Sequence, residues 1–333
     1  MIESRCCRLF LFVLIALFLP VCAWGAVVPA TTIVKVGDIR PGAGGDPING
    51  INLTFTNGQG QLGFIGSVQR TTSQDAFVWY NDGFMWFNSN NALLSGAVEF
   101  GMGIGDDARY IYSPRYADND AVWTHDGLLL AAGAPSPGMA DKWVKFNSRP
   151  SMLPDGTAYW VAGWTNTAGG STTDGRVLYR SADTATPVIT TVFKSGDQIG
   201  GFTILDGSSG VDFDYMVSDN DLHHINVLLM DTGNTANDGF VYVDGALIAR
   251  ELSPASGGTG AENWDNFDQV SINNTGNYLF SGDTDGDSAT DEYIAYNGTI
   301  SIREGQTVDG IELAATASLQ GLAINNRNQA VHL

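Results

Sequence analysis

The sequence predicts an all-β protein, a six-bladed β-propeller of four-stranded antiparallel blades, in a single domain over residues 26–333 that follows a signal peptide over residues 1–25. Three observations support this fold. A degenerate phrase of about fifty residues recurs five to six times. Short alternating apolar runs are separated by Asn/Asp/Gly turns, and the two ends of the array are offset by part of a unit.

The recurring phrase is clearest in Phe267–Phe280 and Leu319–His332. Each copy contains two alternating apolar runs joined by an Asn-rich turn, which predicts a β-hairpin. We name its strands A and B. The six A–B turns are predicted at Asn57-Gly58, Asp106-Asp107, Pro154-Asp155-Gly156, Asn220-Asp221, Asn273-Asn274 and Asn325-Asn326.

A second hairpin completes each unit. Strand C carries alternating aromatic and β-branched residues, at Phe77–Tyr80, Ala121–Trp123, Val177–Tyr179, Phe240–Val243 and Tyr293–Tyr296. A tight C–D turn follows, at Asn81-Asp82-Gly83, His125-Asp126-Gly127, Asp244-Gly245 and Asn297-Gly298. Four strands per unit are typical of propeller blades.

The ends of the array predict how it closes. Residues 32–42 look like an isolated strand D with its link, whereas the C-terminal end stops after strands A and B, at Leu333. Pairing of the two ends in one shared blade would leave no open sheet edge. We therefore expect five full blades and one split blade. An open solenoid of hairpins, or a truncated copy of a longer array, is the alternative.

The first 25 residues indicate export. Arg5 and Arg8 precede the apolar run Leu9–Leu19, and Ala23-Trp24-Gly25 is a small-x-small cleavage site. We expect an extracellular, periplasmic or cell-surface bacterial protein with no transmembrane anchor in the mature chain. Lipid attachment at Cys22 is the alternative.

Cysteine content and charge limit the partners. All three cysteines (Cys6, Cys7 and Cys22) lie in the export segment, so a mature chain would have no disulfide. The formal net charge is −20, which argues against nucleic acid or an anionic membrane as partner, because both require Lys/Arg. Glycans, proteins and cations remain.

The repeat, together with the export segment, resembles bacterial secreted propeller-like proteins of the PEP-CTERM or choice-of-anchor type. The resemblance covers most of residues 32–333 and depends on turn and core positions, such as the Asn273-Asn274 and Asp244-Gly245 turns. It implies a scaffold and gives no catalytic residue.

We expect a non-enzymatic binding or structural module that recognises glycan or protein through its B–C loops. These loops, predicted at Gln69–Asp75, Trp164–Asp174, Asp231–Asp238 and Gly282–Glu292, vary in length far more than the A–B turns. Neutral insertion at exposed tips is the alternative. Trp164, beside a long loop, is the tryptophan expected to be exposed for ligand stacking.

The B–C loop of the fifth unit suggests a calcium site. Its carboxylates alternate along a flexible loop and could surround a hard cation: Asp283, Asp285, Asp287, Asp291 and Glu292. Ser288 and Ile294 occupy positions where an EF-hand requires Gly and a bidentate acid, so this is not an EF-hand. A solvated acidic loop without metal is the alternative.

An enzyme is the second functional hypothesis. Asp214 and Asp268 occupy equivalent positions near the expected channel and could act as acid and base of a polysaccharide hydrolase or lyase, with Asp212 and Asp265 nearby. Their repetition also fits a structural role, in which an aspartate caps a neighbouring turn. No metalloprotease or serine-hydrolase motif is present.

Overall fold

A computed structural model of the chain describes residues 34–40, 42–57, 59–71, 74–81, 83–87, 101–113, 115–116, 119–205, 213–308, 311–314, 319 and 322–331. The chain divides into two units, Met1–Lys35 and Val36–Leu333, and the strands found among the described residues belong to the second. The predicted signal peptide and Cys22 lie outside the described residues.

The described residues form β-strands, turns and irregular segments, with no helix among them. Five antiparallel sheets follow one another along the chain, and each contains four successive strands A to D. Sheet 1 consists of β1 (Ile48–Thr56), β2 (Leu62–Gln69), β3 (Gln74–Tyr80) and β4 (Gly83–Phe87). Sheet 2 consists of β5 (Met102–Ile104), β6 (Tyr110–Tyr112), β8 (Asn119–Thr124) and β9 (Gly127–Ala131), with the short β7 (Arg115–Tyr116) paired to β8.

Sheet 3 consists of β10 (Trp143–Met152), β11 (Ala158–Thr165), β12 (Gly175–Ser181) and β13 (Ile189–Lys194). Sheet 4 consists of β16 (Phe213–Val217), β17 (His224–Asp231), β18 (Gly239–Val243) and β19 (Ala246–Arg250). The short strands β14 (Gln198–Ile199) and β15 (Phe202–Ile204) extend it, because β15 pairs with the end of β17. Sheet 5 consists of β20 (Val270–Ile272), β21 (Tyr278–Asp283), β22 (Glu292–Tyr296) and β23 (Thr299–Arg303).

Two small hairpins follow sheet 5. They are formed by β24 (Thr307–Val308) with β25 (Ile311–Glu312), and by β26 (Ala323–Ile324) with β27 (Ala330–Val331). We call the second one the C-terminal hairpin. It is the A–B pair of the sixth unit predicted from the sequence.

The strand-C predictions are confirmed, because every predicted aromatic run lies in the third main strand of its sheet. The tight turns also agree with their residue types. Asn81, Asp244 and Asn297 have φ angles of 44°, 51° and 47°. Asparagine and aspartate tolerate this left-handed backbone better than other non-glycine residues, and it is the backbone that two-residue hairpin turns require.

The core lies between successive sheets. Ile111 and Val122 of sheet 2 pack with Val144 and Trp160 of sheet 3. Equivalent clusters join sheets 1 and 2, sheets 3 and 4, and sheets 4 and 5, and Leu279 and Ile294 of sheet 5 pack with Ile324 of the C-terminal hairpin. Each sheet is thus stabilised by burying its faces against its neighbours, which is the propeller arrangement.

The prediction of six blades is wrong, because five are found. The described part of the sixth unit supplies one hairpin with two residues in each strand. Such a hairpin offers too few cross-strand pairs and too little apolar face to stand as a blade of its own. It packs instead on β20 and β21 of sheet 5. Of the segment 32–42 predicted as strand D with its link, residues 32–33 and 41 lie outside the described residues. The described part contains no strand and makes one isolated bridge, between Ile39 and Pro47, so closure by the two ends stays a prediction.

Hydrogen bonds join the A–B turns of sheets 1 and 2, of sheets 2 and 3, and of sheets 4 and 5. Between sheets 3 and 4, Tyr159 Oη of β11 donates to Asp221 Oδ1 in the A–B turn of sheet 4. Asn57 Nδ2 donates to Gly105 O at 2.8 Å, and the Asp106 amide donates to Pro154 O at 2.9 Å. The Asn220 amide donates to Asn274 Oδ1 at 3.0 Å. The Asn274 amide donates in turn to Asn326 Oδ1 of the C-terminal hairpin at 2.8 Å. These bonds place the A–B turns at one common end of the array.

Antiparallel order then defines two ends. The A–B and C–D turns lie at the turn end, and the B–C loops and the links between sheets lie at the loop end. Within the described ranges, the structure has no helix of the length and apolarity needed to cross a membrane.

Candidate functional site

The B–C loops of sheets 3 and 4 are exposed and are held by their own side chains. In sheet 3, the carboxylate of Asp174 accepts from the Asn166 amide at 2.6 Å, and this bond lowers the pKa of Asp174. In sheet 4, Thr232 Oγ1 donates to Asn234 O at 2.8 Å and to Asn237 Oδ1 at 2.7 Å. The loop end therefore presents polar surface in a fixed backbone conformation.

Trp164 is buried, contrary to the expectation of exposure. It lies at the end of β11 with 6% of its surface exposed and belongs to the core between sheets 2 and 3. Gly175 lies against the indole, because a Cβ at that position would be 2.2 Å from a ring atom. β11 runs through Trp164 to Thr165 and all eight of its residues are buried, so the ring lies in the strand and not on the predicted loop. Its role in ligand binding stays a prediction.

The acidic B–C loop of sheet 5 is fixed by protein partners. The Asp285 carboxylate accepts from the amide and side-chain nitrogens of Asn263, at 2.7 and 2.8 Å, and these bonds lower its pKa. Asp287 Oδ1 accepts from the Ala289 amide at 3.1 Å and lies in an exposed turn. Asp285 thus joins the loop to the link between sheets 4 and 5, and Asp287 stabilises a local turn.

A buried arginine supplies positive charge to this loop. Arg303 at the end of β23 donates to Thr290 O at 2.7 Å and forms an ion pair with Glu262. The side chains of Arg303 and Glu262 are only 9% and 12% exposed.

No group of three or more His, Cys, Asp or Glu side chains within the described ranges is arranged to hold a metal ion. The calcium expectation for Asp283, Asp285, Asp287, Asp291 and Glu292 stays a prediction.

Beside this ion pair lies a carboxyl that the sequence did not single out. Glu304 is 3% exposed, its Oε1 has no hydrogen-bond partner, and its neighbours include Asp291 and Glu292. Burial raises the pKa of Glu304, and contact with the Asp291 carboxyl raises it further. Residue type alone gave no signal, because Glu304 follows strand D where an exposed acid is ordinary.

Asp214 lies on β16 of sheet 4 and forms an ion pair with Arg149 of β10 in sheet 3. The next residue repeats this link, because Tyr215 Oη donates to Arg149 O at 2.7 Å. Asp214 therefore joins two neighbouring sheets. The structural role and the catalytic role of Asp214 both stay predictions.

Asp268 lies just before β20 in sheet 5, at the position equivalent to Asp214. Each follows a buried phenylalanine, Phe213 or Phe267. Asp268 Oδ1 accepts from Asn266 Nδ2 at 2.9 Å.

Burial raises the pKa of the nearby Asp283, and the Asp268 charge adds to this shift. Asp214 and Asp268 are thus in different sheets, and the neighbouring carboxyl of Asp268 is Asp283. Asp265 is exposed beside them, whereas Asp212 lies outside the described residues.

A polar cleft of about 430 Å³ lies at the turn end, between sheets 2 and 3. Four turn segments contribute to it: the A–B and C–D turns of sheet 2 and the same two connections of sheet 3. Its side chains include Arg109, His125, Asp126, Asp155 and Thr184. The sequence pointed to the loop end instead, because the variable B–C loops are there.

A second cavity, of about 380 Å³, is apolar and lies between sheet 5 and the C-terminal hairpin. Leu279, Ile294 and Ile302 line it from the sheet, and Leu322 and Ala330 from the hairpin side. It continues the core of sheet 5 at the place where a full sixth blade would pack.

The fold and its repeated units define a β-propeller repeat protein. No protein-family model and no curated protein matches the chain. Among solved structures it is similar to prolyl oligopeptidase B from Galerina marginata, with a TM-score of 0.40 and 10% identity over 76% of this chain. The chain spans 35% of the length of that protein.

A gluconolactonase from Xanthomonas campestris is also similar, with a TM-score of 0.36 and 12% identity. That similarity covers 92% of this chain and 96% of the gluconolactonase. Similarity at this level gives no indication of the activity of this chain.

Proposed function

We propose that the chain is an exported, non-enzymatic propeller module that binds glycan or protein through the B–C loops at its loop end. The observation that carries this proposal is that those loops are both exposed and ordered. Those of sheets 3, 4 and 5 are exposed and polar, yet each is fixed by hydrogen bonds. In sheets 3 and 4 the bonds join residues within the loop, and in sheet 5 they join Asp285 to Asn263 in the preceding link. A loop that is already ordered loses little conformational entropy when it binds.

Loop replacement tests the proposal. Residues 232–237 between β17 and β18 can be replaced by Asn-Gly, which is a sequence that closes a tight hairpin. The unchanged chain and the variant would be applied to a glycan array and used to capture proteins from the cell surface of the source organism. We expect the unchanged chain to bind and the loop variant to lose at least tenfold in affinity.

The control variant leaves every B–C loop unchanged. Asn328→Ala alters the C-terminal hairpin at the turn end and should leave the binding unchanged. Circular dichroism melting would show that each variant remains folded. Binding that survives replacement of residues 232–237 in a folded variant would contradict the proposal.

A polysaccharide hydrolase or lyase is the second candidate, and one observation favours it. Asp283 is a half-buried carboxyl with a raised pKa beside Asp268, and an acid and a base with different pKa values are what glycoside hydrolysis requires. Release of reducing ends from a polysaccharide panel would have to fall about a hundredfold in Asp268→Asn and Asp283→Asn. Unchanged release in both variants would exclude this pair, and Asp214→Asn tests the remaining aspartate predicted from the sequence.

A further inference from the structure

We propose that the polar cleft at the turn end, between sheets 2 and 3, is a binding site for a saccharide. It lies at the opposite end from the loops discussed above. The cleft is therefore a second site, and it does not depend on the proposed function of the B–C loops.

The cleft interrupts the symmetry of the array. The C–D connections of sheets 1, 2, 4 and 5 are two residues long, whereas that of sheet 3 is the seven-residue segment 182–188. This segment forms one wall of the cleft through Ala182, Asp183, Thr184 and Ala185. Repeated scaffolds build their sites where one unit departs from the others, because the departure is unnecessary for packing.

The long connection is tied down across the sheet boundary. Thr184 is 9% exposed, and its Oγ1 donates to Asp126 Oδ2 in the C–D turn of sheet 2 at 2.6 Å. Asp183 Oδ1 accepts from the Ala185 amide at 2.9 Å, and Ser181 Oγ donates to Asp183 O at 2.7 Å. The wall is therefore preformed, and a ligand would meet side chains already held in place.

The opposite wall is equally fixed. Arg109 donates to Asp155 O in the A–B turn of sheet 3 and lies over Gly156, where a Cβ would be 2.7 Å from Arg109 Cδ. His125 Nε2 lies 3.2 Å from Asp126 Oδ2, and its ring packs edge-on against Tyr110. Gly156 has a φ angle of 92°, which favours glycine and leaves room for the guanidinium.

The chemistry of the lining fits hydroxyl groups. Arg109 donates, the carboxylates of Asp126, Asp155 and Asp183 accept, and Thr184 does both. A sugar hydroxyl also donates and accepts, so one ring can satisfy both kinds of group. The volume of about 430 Å³ lies in the range of small-molecule sites, roughly 300–1,000 Å³. A phosphate or carboxylate ligand would be repelled by three aspartates.

The experiment uses the full exported chain. Saturation-transfer NMR with glucose, galactose and N-acetylglucosamine detects weak binding, and calorimetric titration then measures the affinity of the strongest of the three. We expect at least one sugar to bind. Asp126→Asn and replacement of residues 182–188 by Asn-Gly should each weaken it at least tenfold. Asp141→Asn makes the same charge change at an exposed position in the link between sheets 2 and 3, at the loop end but outside the B–C loops, and should leave the affinity unchanged.

Three results would overturn the site. The first is no saturation transfer with any of the three sugars. The second is an affinity that survives both turn-end changes in folded variants. The third is an affinity lost on replacement of residues 232–237 but kept in Asp126→Asn, which would place sugar binding at the loop end and favour the B–C loop proposal instead.

Discussion

At the scale of single residues, Glu304 gives the sharpest prediction. Its pKa is raised by burial and by Asp291, so the folded chain holds this proton more tightly than the unfolded chain. Its contribution to stability is present below the ordinary pKa of glutamate and is lost as the pH rises through the raised value.

Glu304→Gln should therefore increase the free energy of unfolding at neutral pH by about 1–2 kcal/mol, since an amide carries no charge and can donate to Asp291. The gain should shrink toward pH of about 4, where glutamate itself is protonated. Urea unfolding at several pH values measures both. Glu312→Gln, at an exposed position, is the control, and an equal gain in both variants would refute this explanation.

Individual residues were also the level at which sequence reasoning was weakest. Trp164 and Glu304 were misjudged or missed for the same reason: exposure depends on which sheet lies opposite, and the sequence shows only the alternation within one strand. The buried ion pair of Arg303 was missed for the same reason, because its partner Glu262 is 41 positions away in the chain.

At the scale of elements, the A–B turns determine how neighbouring sheets meet. Asn273 is 2% exposed, and its Nδ2 donates to Asn325 O at 2.9 Å and to Asn328 Oδ1 at 2.7 Å. Its Oδ1 also accepts from the amides of Thr275 and Asn277. One buried amide thus closes its own turn and joins it to the next unit.

Asn273→Ala should lower the free energy of unfolding by about 2–3 kcal/mol, because it leaves several polar groups without partners in a buried turn. Asn234→Ala, in an exposed B–C loop, should cost less than about 1 kcal/mol. Thermal unfolding of the two variants side by side makes the comparison. Equal losses would show that the turn-to-turn bonds add nothing beyond local turn formation.

Most elements were predictable, and particular residues show why. The strand-C runs and the Asp244-Gly245 and Asn297-Gly298 turns depend on local propensity and backbone conformation, which the sequence carries directly. The segment 182–188 and the extra strands β14 and β15 were not predicted. Their conformations depend on contacts with another sheet or on pairing with β17, which lies later in the chain.

At the scale of the whole molecule, charge is the dominant feature. The formal net charge of −20 opposes the compact state by self-repulsion, so sodium chloride should raise the melting temperature by screening.

Calcium chloride at the same ionic strength separates the effect of charge screening from that of specific calcium binding. A larger rise with calcium, abolished in Asp285→Asn/Asp287→Asn, would support the calcium site predicted from the sequence, and equal rises would remove it.

The number of blades is the property of the whole molecule that the sequence misjudged. Six A–B turns can be counted along the chain, but five four-stranded sheets form, because the sixth unit contributes a hairpin with two residues in each strand. A repeat count thus measures hairpins, whereas a blade also requires enough strand length to bury a face.

The account depends on successive sheets standing side by side with their A–B turns in contact, since this arrangement defines the turn end and the loop end. Disulfide trapping tests it most directly, because a chain starting at Ala26 has no cysteine of its own. Asn220→Cys/Asn274→Cys should oxidise to an intramolecular disulfide, whereas Asn166→Cys/Asn274→Cys, which pairs a loop-end position with a turn-end position, should keep both thiols free. Free thiols in the first variant, or a disulfide in the second, would contradict the arrangement.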